Sequence, residues 1–135
     1  MAVRVVLDTN RLTDLFQGDA RLAKTLGRCE EVLIPLFVLA EMKAGFYSRT
    51  RAARNEALLR SFLTRSTVRI LMPGRETCDH YARLFVQLKH AGTPIPINDL
   101  WIASLTIEHD ATLITRDRHF AKIPQLLSQR DAEPD

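Results

Sequence analysis

Residues 3–10 read Val-Arg-Val-Val-Leu-Asp-Thr-Asn. Residues 3–7 are mostly β-branched or apolar, the composition of a short strand buried on both faces. The run stops at Asp8, an acid placed where burial disfavours its charge unless it is paired, hydrogen-bonded or bound to metal. After Asp8 the pattern predicts a helix from about residue 10 to Gln17, closed by Gly18. Asp19 then caps a second short helix to about Leu26. A buried strand followed by helical sequence is the opening unit of a parallel sheet.

The alternation continues outward from there. Strands are predicted at 32–35, 68–72 and 112–115. A helix over 36–48, with Pro35 at its first turn, and another over 51–65 form a helical hairpin. In the second of these, Ala53, Ala57, Leu58 and Phe62 share one face. Residues 75–91 give a long amphipathic helix whose apolar side includes Tyr81, Leu84, Phe85 and Leu88. Two prolines within 92–96 enforce a loop. Residues 98–109 are apolar nearly all round, which predicts a central helix. The expected fold class is therefore α/β, a parallel sheet with helices on both faces, in which ligands bind beyond the carboxyl ends of the strands.

The chain has 135 residues, 46% hydrophobic and 26% charged, with a net charge of +3. This is enough for one ordinary hydrophobic core. No apolar stretch approaches the roughly 20 residues of a membrane span. The first residues lack a signal-peptide pattern, so a cytoplasmic location is expected. Cys29 and Cys78 suit reduced thiols better than a disulfide framework. Cys78-Asp79-His80 lacks the second ligand pair that structural zinc needs. Lys43, Arg49, Arg51, Arg54, Arg60 and Arg65 crowd one third of the chain, either as a solvated helix face or as a surface for a polyanion.

Three further acids share the situation of Asp8. Glu41 lies inside Ile-Pro-Leu-Phe-Val-Leu-Ala-Glu, Asp99 opens Asn-Asp-Leu-Trp-Ile-Ala-Ser-Leu, and Asp117 closes Thr-Leu-Ile-Thr-Arg-Asp. Each has an ordinary reading on its own. Asp8 and Asp117 suit Asx turns, and Asp99 suits the first turn of a helix capped by Asn98. Together, at strand ends and along the helices between them, they are expected to meet at one edge of the sheet. Clustered carboxylates repel, and a Mg²⁺ or Mn²⁺ ion relieves that repulsion with the oxygen ligands it prefers. Such a centre, with one ion or two, activates water and stabilises charge on an opening phosphodiester. His80, His90, His109 and His119 are too scattered to nominate a general base. No Ser-His-Asp order, Walker loop or GxGxxG is present.

These acids and their neighbours resemble the PIN-domain ribonucleases, most closely the VapC toxins of bacterial toxin–antitoxin pairs. The matching stretches are Val-Leu-Asp-Thr-Asn at 6–10, Leu-Ala-Glu at 39–41, Ile-Asn-Asp-Leu-Trp-Ile-Ala-Ser at 97–104 and Leu-Ile-Thr-Arg-Asp-Arg-His-Phe at 113–120. The resemblance implies a PIN-like fold, with a parallel sheet of four or five strands, spanning residues 1–127 as one domain, with 128–135 a polar tail. It implies a Mg²⁺- or Mn²⁺-dependent endoribonuclease leaving 5′-phosphate and 3′-hydroxyl ends. By matching position, Asp8, Glu41, Asp99 and Asp117 look like the catalytic and metal-holding set, Asp8 and Asp99 as principal ligands. Asn10, Thr115 and Arg116 are the substrate-binding candidates, with Thr115 orienting the site and Arg116 facing a scissile phosphate.

The same resemblance implies a homodimer, an RNA substrate and a cognate antitoxin, with no membrane and with DNA reached only through the antitoxin. The hairpin is where the antitoxin is expected to dock, on Phe37, Phe46, Tyr47 and Leu59; its arginines are the alternative hold for RNA. A phosphoaspartyl phosphatase would need a second Asp at position 10, which is Asn, and a receiver domain an adjacent acidic pair, where residue 9 is Thr. The remaining alternative is a catalytically silent PIN-like module that binds RNA or its partner.

Overall fold

The computed structural model describes residues 3–48 and 51–129. The apolar run before Asp8 forms strand β1 (Arg4–Leu7). It lies between β2 (Glu31–Pro35) and β4 (Thr112–Ile114), and the sheet's edges are β3 (Val68–Leu71) and β5 (Ser128–Gln129). The order is β3-β2-β1-β4-β5, with every pair parallel. Successive side chains on a strand point to opposite faces. Val5, Val6 and Leu7 are all at most 3% exposed, so both faces of the centre are covered. Leu33, Ile34, Leu113 and Ile114 continue this layer at 0%.

Among the described residues six helices cover the sheet: α1 (Thr9–Phe16), α2 (Ala20–Leu26), α3 (Leu36–Tyr47), α4 (Ala52–Leu63), α5 (Arg75–His90) and α6 (Ile97–Glu108). The turn from α1 to α2 is set by Gly18 at φ +96°, a conformation that side-chain-bearing residues rarely adopt. Asp19 then caps α2 by accepting the Leu22 N–H at 3.0 Å. The α6 helix is buried nearly all round, as its composition requires. Its hydroxyls are satisfied internally, Ser104 to the Leu100 carbonyl at 2.7 Å and Thr106 to Ile102 at 2.8 Å. No helix among the described residues is long and apolar enough to cross a membrane.

The structure departs from the expected pattern in four places. In α4 the inward face is Leu59 and Phe62, whereas Ala53, Ala57 and Leu58 are exposed. Alanines occur on both sides of this helix, so apolar spacing alone does not set its rotation. On α5, Phe85 is 46% exposed instead of sharing the core with Leu84 and Leu88. A 3₁₀ turn (Arg118–Lys122) follows β4, fixed by the buried Phe120 and Ile123. Ser128 and Gln129, read from sequence as the start of a polar tail, pair with Leu113 and Ile114 as β5. Residues 130–135 lie outside the described residues.

The rotation of α4 is testable by urea unfolding. Leu59→Ala, at a position 1% exposed, is expected to cost about 2–5 kcal/mol. Leu58→Ala, 42% exposed, is expected to cost less than about 1 kcal/mol. Equal losses would mean that the helix is turned otherwise.

Candidate functional site

The register between the central strands builds the site. Leu7 pairs with Ile114, so the next residues, Asp8 and Thr115, leave the sheet side by side. Both are buried. The Thr115 hydroxyl donates to Asp8 Oδ2 and accepts the Asp117 N–H at 3.0 Å. Asp8 Oδ1 accepts the Arg11 N–H at 3.0 Å, which caps α1. The Asx turn expected at Asp8 is instead a helix cap made by one oxygen, and the other faces Thr115. Asp117 caps the 3₁₀ turn through the His119 N–H at 2.9 Å. Strands lead away from β1 in both directions, so this crevice is where strand order reverses and where parallel sheets bind ligands.

Asp99 enters from α6, whose cap is Pro96 and not Asn98. Its half-buried carboxylate meets His119, with Nδ1 3.0 Å from Asp99 Oδ2. The same nitrogen lies 3.0 Å from Asp117 Oδ1. Ligand atoms of Asp99, Asp117 and His119 all fall within 4.8 Å of one another. Glu41, half-buried on α3, and Asp8 flank this group. Burial raises the pKa of Asp8 above the ordinary carboxylate range, against the opposing hydrogen bonds from Thr115 and Arg11; Asp117 and Asp99 add to the rise. Burial likewise raises Glu41, opposed by the Thr9 and Asn98 side chains and reinforced by Asp99 and Asp8. Burial raises Asp99 as well, with His119 opposing and Asp117 reinforcing. Each of the four predicted acids therefore acts electrostatically on at least one of the others. Oxygen donors of this kind, crowded and partly desolvated, suit a hard divalent cation.

Asn10 is exposed on α1 and lines a groove of about 300 Å³ together with Thr9, Thr13, Glu41, Met42 and Asn55. The groove leads from Glu41 out between α1, α3 and α4. Arg116, expected to face a phosphate, instead clasps Asp14 through Nε at 2.9 Å and Nη2 at 3.0 Å. Asp14 also accepts from the buried Arg11 at 2.8 Å, and this shared carboxylate is what holds Arg116. Of the basic crowd, Lys43 is paired with Glu56 at 3.0 Å, Arg65 sits over the Phe62 ring, and Arg49 lies outside the described residues. Phe46 and Leu59, expected to meet a partner, are already in the core. Trp101 stacks between Tyr81 at 4.3 Å and Phe37 at 5.5 Å, which fixes α6 instead of offering a free surface for bases. His119 is the residue that sequence reasoning missed. Its signal was its place two residues beyond Asp117.

The family model described as the PIN domain matches residues 5–126. This chain belongs to the PIN-domain family. Among its relatives, Ribonuclease VapC2 of Rickettsia felis is 32% identical over 103 residues, 76% of this chain and 75% of the relative. Among solved structures, VapBC2 from Rickettsia felis, bound to a DNA fragment from its promoter, superposes with a TM-score of 0.83 at 27% identity, covering 94% of this chain and 98% of that one. A toxin–antitoxin complex from Klebsiella pneumoniae gives a TM-score of 0.70 at 26% identity, covering 91% and 95%. The five-stranded parallel sheet and its helices are those of a PIN domain.

The raised carboxyl groups link stability of this PIN domain to pH. The folded protein holds protons that the unfolded chain would release, so this contribution is complete below the ordinary carboxylate range. It is lost as pH rises through the elevated folded values. Metal-free protein should therefore melt higher near pH 5 than near pH 7 in calorimetry, and Glu41→Gln should narrow that difference by raising the value at pH 7. An unchanged difference would mean that Glu41 ionises as it does in open solvent.

Proposed function

We propose that this chain is an endoribonuclease, the toxin of a type II toxin–antitoxin pair, which hydrolyses RNA phosphodiester bonds with the aid of Mg²⁺ or Mn²⁺. The observation that carries this reading is the tight group of Asp99, Asp117 and His119, with Asp8 and Glu41 within electrostatic reach of Asp99. Membership of the PIN-domain family and similarity to a protein named Ribonuclease VapC2 support it. The neighbours' assembly with antitoxins supports a cognate antitoxin for this chain too, with DNA engaged through that partner, and a homodimer is proposed alongside it.

Asp8, Asp99 and Asp117 are the residues proposed to hold the ion, with Glu41 completing the cluster. A bound Mg²⁺ or Mn²⁺ supplies a Lewis acid for the phosphoryl oxygen and a water of lowered pKa. Asp8 enters with its direction fixed, because Arg11 N–H and the Thr115 hydroxyl each occupy one of its oxygens. Thr115 is a positioning residue that ties Asp8 to the Asp117 backbone. The groove past Asn10 runs directly to Glu41, and is the proposed bed for an RNA strand or for an antitoxin tail that blocks it. Arg116, held by Asp14, serves the architecture of this edge and is not assigned to the phosphate.

Protein freed of its partner should cut structured RNA only when Mg²⁺ or Mn²⁺ is added, as read on gels of end-labelled transcripts. Asp8→Asn and Asp99→Asn should lower cleavage by about 100-fold or more, and Thr115→Val by about 10- to 100-fold, with circular dichroism unchanged. Undiminished cutting by the two Asn variants would overturn the assignment. A folded protein that cuts nothing with either metal would favour the silent module.

A further inference from the structure

His119 belongs to none of the four acidic positions, yet the fold delivers it to two of them, Asp99 and Asp117. The Asp117 cap takes the His119 backbone N–H at 2.9 Å, and Phe120, 1% exposed, anchors the next residue in the core. The imidazole is thereby set beside these two acids, and Nδ1 lies 3.0 Å from both Asp99 Oδ2 and Asp117 Oδ1. At that spacing a neutral ring nitrogen and the two carboxylate oxygens could serve one ion together, as they could equally share a ring N–H. The three donors lie within 4.8 Å of one another, tight enough for one ion.

We propose that His119 Nδ1 is itself a ligand of the metal centre, which makes the centre a mixed nitrogen–oxygen site and shifts its preference from Mg²⁺ towards a first-row transition ion such as Mn²⁺. The inference deepens the metal-dependent reading given above and rests on it. Imidazole nitrogen is a poor partner for Mg²⁺, which takes carboxylate and water oxygens, whereas first-row transition ions accept it along their affinity series. For Nδ1 to coordinate, the ring must be neutral with its proton on Nε2, so one nitrogen cannot at once donate to the carboxylates and bind the ion. The competing role is that of a positioning residue, a ring N–H that only steers Asp99 and Asp117.

The two roles separate by spectroscopy and by the choice of variant. Full-length, metal-stripped protein is loaded with Mn²⁺ and examined by pulsed electron paramagnetic resonance, with Mn²⁺ and Mg²⁺ affinities measured by calorimetry. His119→Gln retains an amide that can donate to both carboxylates but no imidazole nitrogen; His119→Ala removes both. Expected are a nitrogen coupling in the wild-type Mn²⁺ spectrum that vanishes in both variants, and a loss of Mn²⁺ affinity of about tenfold or more. Mg²⁺ affinity should change by less than about threefold, so that the ratio collapses. Tight Mn²⁺ binding without nitrogen coupling, or a ratio restored by Gln, would overturn the ligand role and leave the nuclease reading standing. Binding of neither ion would remove the metal centre itself.

Discussion

Carboxylates drawn out of water and towards each other are the constraint on which this structure turns. Two unit charges about 4 Å apart interact by about 4 kcal/mol at the effective dielectric of a protein surface. A domain of this size has a net stability of only about 5–15 kcal/mol. An acidic crevice is therefore sustainable only where the scaffold is strong. Here that scaffold is the centre of a parallel sheet, where Val6, Leu7, Leu33, Ile34, Leu113 and Ile114 are all fully buried. The repulsion falls where the strands end, at the mouth of the most completely buried part of the molecule. Its relief takes one of two forms, protons on the raised carboxyls or a cation among them.

What keeps the acids in place is a short set of hydrogen bonds spanning distant segments. Thr115 ties Asp8 to the Asp117 backbone across the β1–β4 pairing. Asp8 in turn starts α1, so the strand end, the helix start and the site are one feature. The α6 helix has no side-chain cap and depends on packing, with Trp101 held between Phe37 and Tyr81. That stack lies two residues beyond Asp99 and settles how its helix sits. Asp14, shared by Arg11 and Arg116, fastens α1 to the segment after β4 from the outer side.

Much of this was legible in sequence because its causes are local. A run of β-branched residues that ends in an acid announces the strand, and Asp8 and Asp117 follow β1 and β4 as that reasoning has it. Gly18 and Asp19 marked the α1–α2 turn for the same reason. Most of what the sequence did not show involves partners far along the chain. The pairing of Arg116 with Asp14 could not be read because Asp14 is 102 residues away. His119 looked like one of four scattered histidines because its relation to Asp99 exists only once α6 and the 3₁₀ turn converge. The face of α4 was ambiguous among its alanines until packing chose Leu59 and Phe62. Two residues are too few to announce β5, which exists because Leu113 and Ile114 offer an unpaired edge.

The arrangement separates chemistry from recognition. The segment 115–119 contributes a hydroxyl, a carboxylate and an imidazole within five residues, all tied to the sheet end and to each other. The groove between α1, α3 and α4 draws its lining from helix surfaces that carry no part of that network. Glu41 and Thr9 are where the two meet, since each lines the groove and acts on the acidic group. Substitutions at Asn10, Thr13 or Asn55 therefore reshape what the groove holds without disturbing the β1–β4 crevice. A change at Glu41 alters both at once. On the proposed reading of the groove, a scaffold divided in this way keeps one reaction fixed while the molecule it acts on, or the partner that blocks it, is exchanged through the helices.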